Sequence, residues 1–191
     1  MDIILASTSP YRENLLQRLR LPFRCEAPGV EEATLDGETP AQMAQRLARA
    51  KAASISARHP TALVIGSDQV AALDGDVLGK PGTRETAQQQ LRRCSGKSVV
   101  FFTGLAVMRA AQPFQRLHLA TTTAVFRDLD GQEIDRYLEA DQPYDCAGSF
   151  KVESLGITLF SELRGSDPTS LEGLPLIALG AALRDAGIDL P

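Results

Sequence analysis

The chain has 191 residues, enough for one domain with a substantial core or two closely joined lobes but too few for two independent domains, so a single domain over 1–191 is expected. Lys plus Arg number 20 against 24 Asp plus Glu, a formal net charge of -4, which argues against a nucleic-acid or membrane-surface binder that relies on diffuse positive charge. Three cysteines, Cys25, Cys94 and Cys146, stand far apart without a C-x-x-C pair; they indicate neither a disulfide framework nor a structural zinc site, and a reducing, cytoplasmic setting fits them.

The start, Met1-Asp2 and a brief apolar run to Ala6, lacks the basic and long apolar regions of a signal peptide, and no apolar stretch approaches bilayer length. Ile3 to Ala6 is expected to form a buried strand, followed by the polar loop Ser7-Thr8-Ser9-Pro10 and a helix to about Arg20. Ser9 suits the N-cap and Pro10 the first helical position, with Leu15, Leu16 and Leu19 on the inner face. Three residues after Ser9 a capping box calls for Glu or Gln, yet the chain has Arg12. A cation in the first turn opposes the helix macrodipole by about 0.3 to 1 kcal/mol, and an anion in front of the helix reverses that sign. Ser7, Ser9 and Arg12 therefore form a candidate phosphate site; the alternative is an exposed arginine behind an imperfect cap.

Phe23 to Glu26 is expected to be a second strand, broken by Pro28-Gly29 before the paired acids Glu31 and Glu32, which matter only if the fold turns them towards other functional groups. Met43, Leu47, Ala50 and Ile55 predict a helix over 40–58, with Lys51 near its middle; Arg46, Arg49 and Arg58 make a solvated basic face the competing reading of that lysine. Thr61 to Ile65 has the profile of a buried strand ending at Gly66, with Asp68 just beyond, where open sheets bind ligands. Asp68 is thus a candidate metal ligand or base, or simply a turn residue. Asp74-Gly75 between two apolar runs signals a hairpin that returns Lys80 towards Asp68, an arrangement that suits a metal-bound phosphate and equally a plain salt bridge.

Thr83 should cap a helix to about Arg93, and Val99 to Met108 should form a central strand in which Gly104 marks a bulge or a close approach. Leu117 to Phe126 is its expected partner, and Asp130 caps a helix to about Glu139. Alternation predicts Lys151 and Glu153 on one side of a strand, and Gly156 to Phe160 as a further short strand. A last helix, Leu176 to Ala186, is expected to turn Ile177, Leu179 and Leu183 inward.

Together, L-A-S-T-S-P-Y-R, V-E-E, Lys51, I-G-S-D-Q-V, L-G-K-P, S-G-K-S-V-V-F-F-T-G and the late G-L-P-L resemble the Maf family of nucleoside triphosphate pyrophosphatases over almost the whole chain. Gln69 in S-D-Q-V, with A-G-S-F-K-V-E and G-I-T-L-F, is most similar to the branch acting on 7-methyl-GTP rather than that acting on dTTP and UTP. The resemblance implies a two-lobed α/β fold of the Maf/ITPase-like kind, with a central mixed sheet flanked by helices and an active-site cleft between the lobes. It also implies hydrolysis of a nucleoside triphosphate to the monophosphate and pyrophosphate with a divalent cation, Mg2+ or Mn2+. On this basis Asp68 is the proton acceptor, Arg12, Lys51 and Lys80 meet phosphate, and Glu32 is the acid of the V-E-E motif. Tyr11, Gln69 and Glu153 fall where substrate classes differ; the branch often has Trp where this chain has Tyr11.

Elementary chemistry supports these roles: triphosphate hydrolysis is mainly charge neutralisation and positioning, and Asp68 with Glu32 offers hard oxygen ligands suited to Mg2+ or Mn2+. N7-methylation makes guanine cationic, so Tyr11 could offer an aromatic face, worth about 0.5 to 2 kcal/mol, and Glu153 a carboxylate. The competing function is a nucleotide-binding regulator without turnover, acting through a protein partner in septum or cell-shape control. A homodimer is compatible with a small enzyme, although nothing in the chain marks an interface.

Overall fold

The computed structural model describes residues 1–191. Seven strands form one mixed sheet: β1 (Ile3–Leu5), β2 (Arg24–Cys25), β3 (Leu63–Leu73), β4 (Asp76–Leu78), β5 (Ser98–Arg109), β6 (Phe114–Phe126) and β7 (Phe160–Arg164). Their order is β2-β1-β3-β5-β6-β7, with β4 paired to β3. β1 runs parallel to both β2 and β3, whereas β3–β4 and β6–β7 are antiparallel. Five helices accompany the sheet: α1 (Pro10–Gln17), α2 (Pro40–Arg58), α3 (Arg84–Cys94), α4 (Gly131–Asp141) and α5 (Leu176–Asp185). No helix is long and apolar enough to cross a membrane.

The helix starts follow their local signals. Ser9, Thr83 and Asp130 each accept the backbone N–H three residues on, and Asp130 with Glu133 completes a reciprocal capping box. Thr39 and Gln42 make a second box at the start of α2. The β3–β4 hairpin turns at Asp74 and Gly75, whose φ values of 53° and 93° suit the twist of a two-residue turn. α5 lacks a side-chain cap at Pro175, and a distant acid takes over: Asp167 Oδ2 accepts the Ile177 N–H at 2.7 Å.

Two compact units divide the chain. The first comprises Met1–Gln69, Thr103–Ala120 and Asp167–Pro191. Its sheet segments carry one apolar cluster built from Ile3, Leu5, Leu15, Leu63, Ile65 and the inner residues of α5, and another from Ile4, Val64 and Ala106 against Ala48, Ala52 and Ile55 of α2. Two glycines let α2 lie close to the strands. A Cβ on Gly66 would strike the Ala48 carbonyl and the Ala52 backbone nitrogen, and one on Gly104 would strike the Ala44 carbonyl.

The second unit comprises Val70–Phe102 and Thr121–Ser166. Its core includes Phe101, Phe126, Phe150 and Phe160, whose rings meet edge to face, Phe101 and Phe150 at a centroid distance of 5.2 Å and Phe126 and Phe160 at 4.8 Å. Four expectations change here and in the first unit. Gly66 does not end β3, which continues to Leu73, because the missing side chain answers to α2 rather than to a turn. Lys151 and Glu153 lie on a turn, not a strand: Gly148 and Ser149 adopt φ values of 78° and 63°, and Gly156 closes against the Lys151 backbone. Leu155–Leu159 is a 3-10 turn, and β7 begins only at Phe160. Ile177 is 63% exposed, on the outer side of α5, while Leu179 and Leu183 are buried as expected.

Candidate active site

The centre of the site is β3, and its pleat divides neighbouring residues between two faces. Gly66 and Asp68 face α2, where Lys51 stands; Ser67 and Gln69 face the segment 170–173. Lys51 is 5% exposed and Asp68 6%, which removes the solvated-basic-face reading of the lysine and the turn reading of the aspartate. Lys51 Nζ lies 2.6 Å from Asp68 Oδ1 and 2.5 Å from Glu32 Oε1, so both carboxylates converge on one ammonium. A charge taken from water costs several kcal/mol unless it is paired, and this pairing lets a lysine sit inside the fold.

Glu32 reaches that point from a 13-residue stretch, 26–38, without regular secondary structure. The stretch is strapped along the length of α2 in descending order. Arg58 donates to the Ala27 carbonyl, Ser54 Oγ to the Pro28 carbonyl at 2.6 Å, Lys51 holds Glu32, and Arg46 Nη2 donates to the Ala33 carbonyl at 3.0 Å. Arg46 also grips Glu38 through Nε at 2.6 Å and Nη2 at 2.7 Å. Thus Arg46 and Arg58, expected on a solvated face, hold the loop that carries the acid.

At the start of α1, Ser7 Oγ accepts the Ser9 N–H at 3.1 Å and Ser9 Oγ accepts the Arg12 N–H at 3.4 Å. Each hydroxyl keeps its own hydrogen as a donor for an anion. The Arg12 side chain does not return to its cap; Nε donates to the Gly173 carbonyl at 3.0 Å. Burial lowers the Arg12 pKa, while the charges of Asp68 and Glu32 pull it back upward. Arg12, Lys51, Asp68 and Glu32 therefore share one electrostatic neighbourhood, entirely within the first unit.

The same Gly173 carbonyl accepts Ser67 Oγ at 2.9 Å, and Ser67 also contacts the Gly104 carbonyl at 2.8 Å. Gly173 has φ 110° and faces the Arg12 side chain, two reasons for glycine there. Gln69 uses Nε2 to contact Thr103 Oγ1 and the Ser170 and Leu171 carbonyls at 2.9 to 3.1 Å. Its amide is thereby oriented, with Nε2 committed to the protein and Oε1 left as the acceptor end. Tyr11 is half-buried in the first turn of α1. Lys80, just beyond β4, and Glu153, on the turn before 155–159, belong to the second unit and are exposed. Ser67, Thr103, Gly173 and Arg46 were not singled out for these roles by the sequence; only the glycine interruption at Thr103-Gly104 hinted at a crowded position.

No group of three or more His, Cys, Asp or Glu side chains converges anywhere in the chain. The point on which Asp68 Oδ1 and Glu32 Oε1 converge is the Lys51 ammonium, so a Mg2+ bound by one or two carboxylates together with substrate phosphate oxygens would be met by the other carboxylate oxygens.

The mixed sheet with flanking helices is an α/β architecture shared with a solved structure of the Ham1 protein of Staphylococcus aureus: the TM-score is 0.52 at 14% identity, covering 95% of this chain and 98% of that one. At that identity the likeness concerns the fold alone. The chain belongs to the Maf family; the family described as Maf-like protein matches residues 2–186. Among its relatives, a Pseudomonas aeruginosa protein named 7-methyl-GTP pyrophosphatase is 52% identical over 100% of this chain and 99% of its own length. A Pseudomonas syringae pv. tomato protein of the same name is 50% identical, again over 100% of this chain and 99% of its own.

Proposed function

We propose that the chain hydrolyses the α–β anhydride of a nucleoside triphosphate, releasing the monophosphate and pyrophosphate, with 7-methyl-GTP the favoured substrate. The observation that carries this reading is the convergence of Asp68 and Glu32 on buried Lys51, beside Arg12 and the Ser7 and Ser9 hydroxyls. The names of relatives about half identical over their full length support the reaction and the base.

In this reading Arg12, Ser7, Ser9, Lys51 and Lys80 bind and orient the phosphates, where positioning and electrostatics account for most of the catalysis. Asp68 accepts the proton of the attacking water, and the P–O bond to the pyrophosphate breaks as the new P–O bond forms. Asp68 and Glu32 would hold a divalent cation, Mg2+ or Mn2+, together with phosphate oxygens. Such a cation would supply neutralisation of triphosphate charge. Tyr11 and Glu153 favour a cationic base through an aromatic face and a carboxylate, and Gln69 offers an acceptor to base N–H groups. The product of this selectivity is a cytoplasmic house-cleaning enzyme that keeps a modified nucleotide out of nucleic acid.

The test is pyrophosphate release from a panel of canonical and modified triphosphates at equal concentration with Mg2+ or Mn2+. The expected result is fastest turnover of 7-methyl-GTP, loss of turnover in Asp68→Asn, and loss of the preference over GTP in Glu153→Gln. Tight nucleotide binding without turnover would instead make the protein a regulator, and faster dTTP or UTP turnover would overturn the base assignment.

A further inference from the structure

We infer that Arg46 is a positioning residue that sets the place of Glu32 at the active site, an inference resting on the proposed pyrophosphatase activity. Glu32 is 54% exposed at its side chain and sits in a loop without a ladder of backbone hydrogen bonds. Left to itself, such a segment samples many conformations, and a carboxylate on it meets a partner only part of the time. Here the segment is tied on both sides of Glu32. Ser54 Oγ holds the Pro28 carbonyl upstream, and Arg46 Nη2 holds the Ala33 carbonyl, the residue directly after Glu32.

Arg46 is the stronger tie because it is itself fixed. Its Nε and Nη2 contact the two oxygens of Glu38, whose side chain is 9% exposed, in a side-on fork. The same Nη2 serves both Glu38 and Ala33, so one planar guanidinium joins the far end of the loop to the position beside Glu32. Lysine carries the charge but not the fork, and cannot reproduce this three-way arrangement. The Glu38 contact raises the Arg46 pKa, reinforcing a charge that an arginine keeps in any case. Arg46 and Lys51 both stand on α2, one gripping the loop backbone and the other its carboxylate.

Two measurements test this. In a double-mutant cycle on pyrophosphate release, Arg46→Ala lowers kcat/KM by about tenfold in the wild-type background and by under about twofold when Glu32 is already Gln, because a positioning residue has nothing left to position. Arg46→Lys behaves like Arg46→Ala, since charge alone does not restore the fork. Equal losses in both backgrounds overturn the inference.

The second measurement needs no activity: cleavage of the full chain by a glutamate-specific protease, with sites assigned by mass spectrometry. Cutting after Glu31, Glu32 and Glu38, the glutamates on the segment that Arg46 ties, is expected to accelerate at least about fivefold in Arg46→Ala and in Arg46→Lys, while cutting outside 26–38 does not change. An unchanged rate at Glu31 overturns the inference. If Arg46→Ala does not fold, Arg46→Lys and Glu38→Gln carry both assays. If the wild type releases no pyrophosphate, the proposed activity falls while the protease assay still decides the clamp.

Discussion

Lys51 Nζ lies 2.6 Å from Asp68 Oδ1, and the two residues, 5% and 6% exposed, join the middle of α2 to the middle of β3. The contact exists because the helix backbone comes down onto Gly66, two residues before the aspartate. The same ammonium holds Glu32 from the loop, so a single side chain aligns a strand, a helix and a strap.

Removing the ammonium should therefore cost both fold and activity. Lys51→Met leaves Asp68 buried without its counter-charge, and the expected loss is about 3 to 5 kcal/mol of stability. Asp68→Asn keeps a hydrogen-bonding partner for Lys51, so its stability loss should be the smaller of the two while pyrophosphate release disappears. Urea denaturation beside the activity assay checks the contrast; equal stability losses would contradict the buried-pair account.

Gly66→Ala and Gly104→Ala each place a methyl group against the α2 backbone, near the Ala48 and Ala44 carbonyls respectively. Backbone cannot rotate aside as a side chain can, so each substitution should cost at least about 1 to 3 kcal/mol. By contrast Gly79→Ala meets nothing within 4 Å and should melt close to the wild type. Thermal denaturation of the three variants measures this directly.

Asp167 is 4% exposed and holds Thr169 through Oδ1 and the Ile177 N–H through Oδ2. It substitutes for the missing side-chain cap of α5 from ten residues away. Asp167→Ala should lower stability by about 1.5 to 3 kcal/mol, the range for losing hydrogen bonds to a charged group. Because the same turn leads into Ser170 and Gly173, the melting point and KM should move together, whereas a change in neither would show the cap to be dispensable.

Cys94 is fully buried, and burial pushes its thiol from 9.0 up to about 11. The folded state thus holds a proton that the unfolded chain releases at lower pH. Stability from this group is complete below pH 9.0 and is lost as pH rises towards about 11, by roughly 2 to 3 kcal/mol in total. Urea midpoints at pH 8 and pH 10 should fall more steeply for the wild type than for Cys94→Ala. Tyr137, raised by burial in the same direction, adds its own loss at higher pH, so parallel slopes in the two proteins below pH 10 would contradict the assignment to Cys94.

The parts of the fold legible in the sequence are those governed by near neighbours. α2 runs over the residues its apolar spacing indicates, Ser9, Thr83 and Asp130 cap where their chemistry suits, and Asp74-Gly75 turns the hairpin. The departures arise where distant chain decides. Gly66 carries a turn signal locally, yet its glycine answers to Ala48 and Ala52 on another element. Lys51 among arginines has the pattern of a wet surface, and only the approach of Asp68 and Glu32 makes its burial tolerable. The turn through Lys151 is tied by its N–H to the Tyr137 hydroxyl and by Ser154 to Asp141, contacts that no alternation of residues announces. Arg12 carried the clearest local clue, an ill-matched charge at a helix start, but its partner lies 161 residues later.

That last separation bears on when the protein becomes functional during its synthesis. The Gly173 carbonyl receives both Arg12 and Ser67, tying the first helix and the central strand to a turn 161 and 106 residues later in the chain. Contacts of such long range form late, after the loop-closure entropy of the intervening chain has been overcome. A nascent chain that has already formed β1, α1 and β3 still lacks the acceptor that orients Arg12. Arg12 and Ser67 therefore take their final orientation only once residue 173 has been made and has folded back onto them.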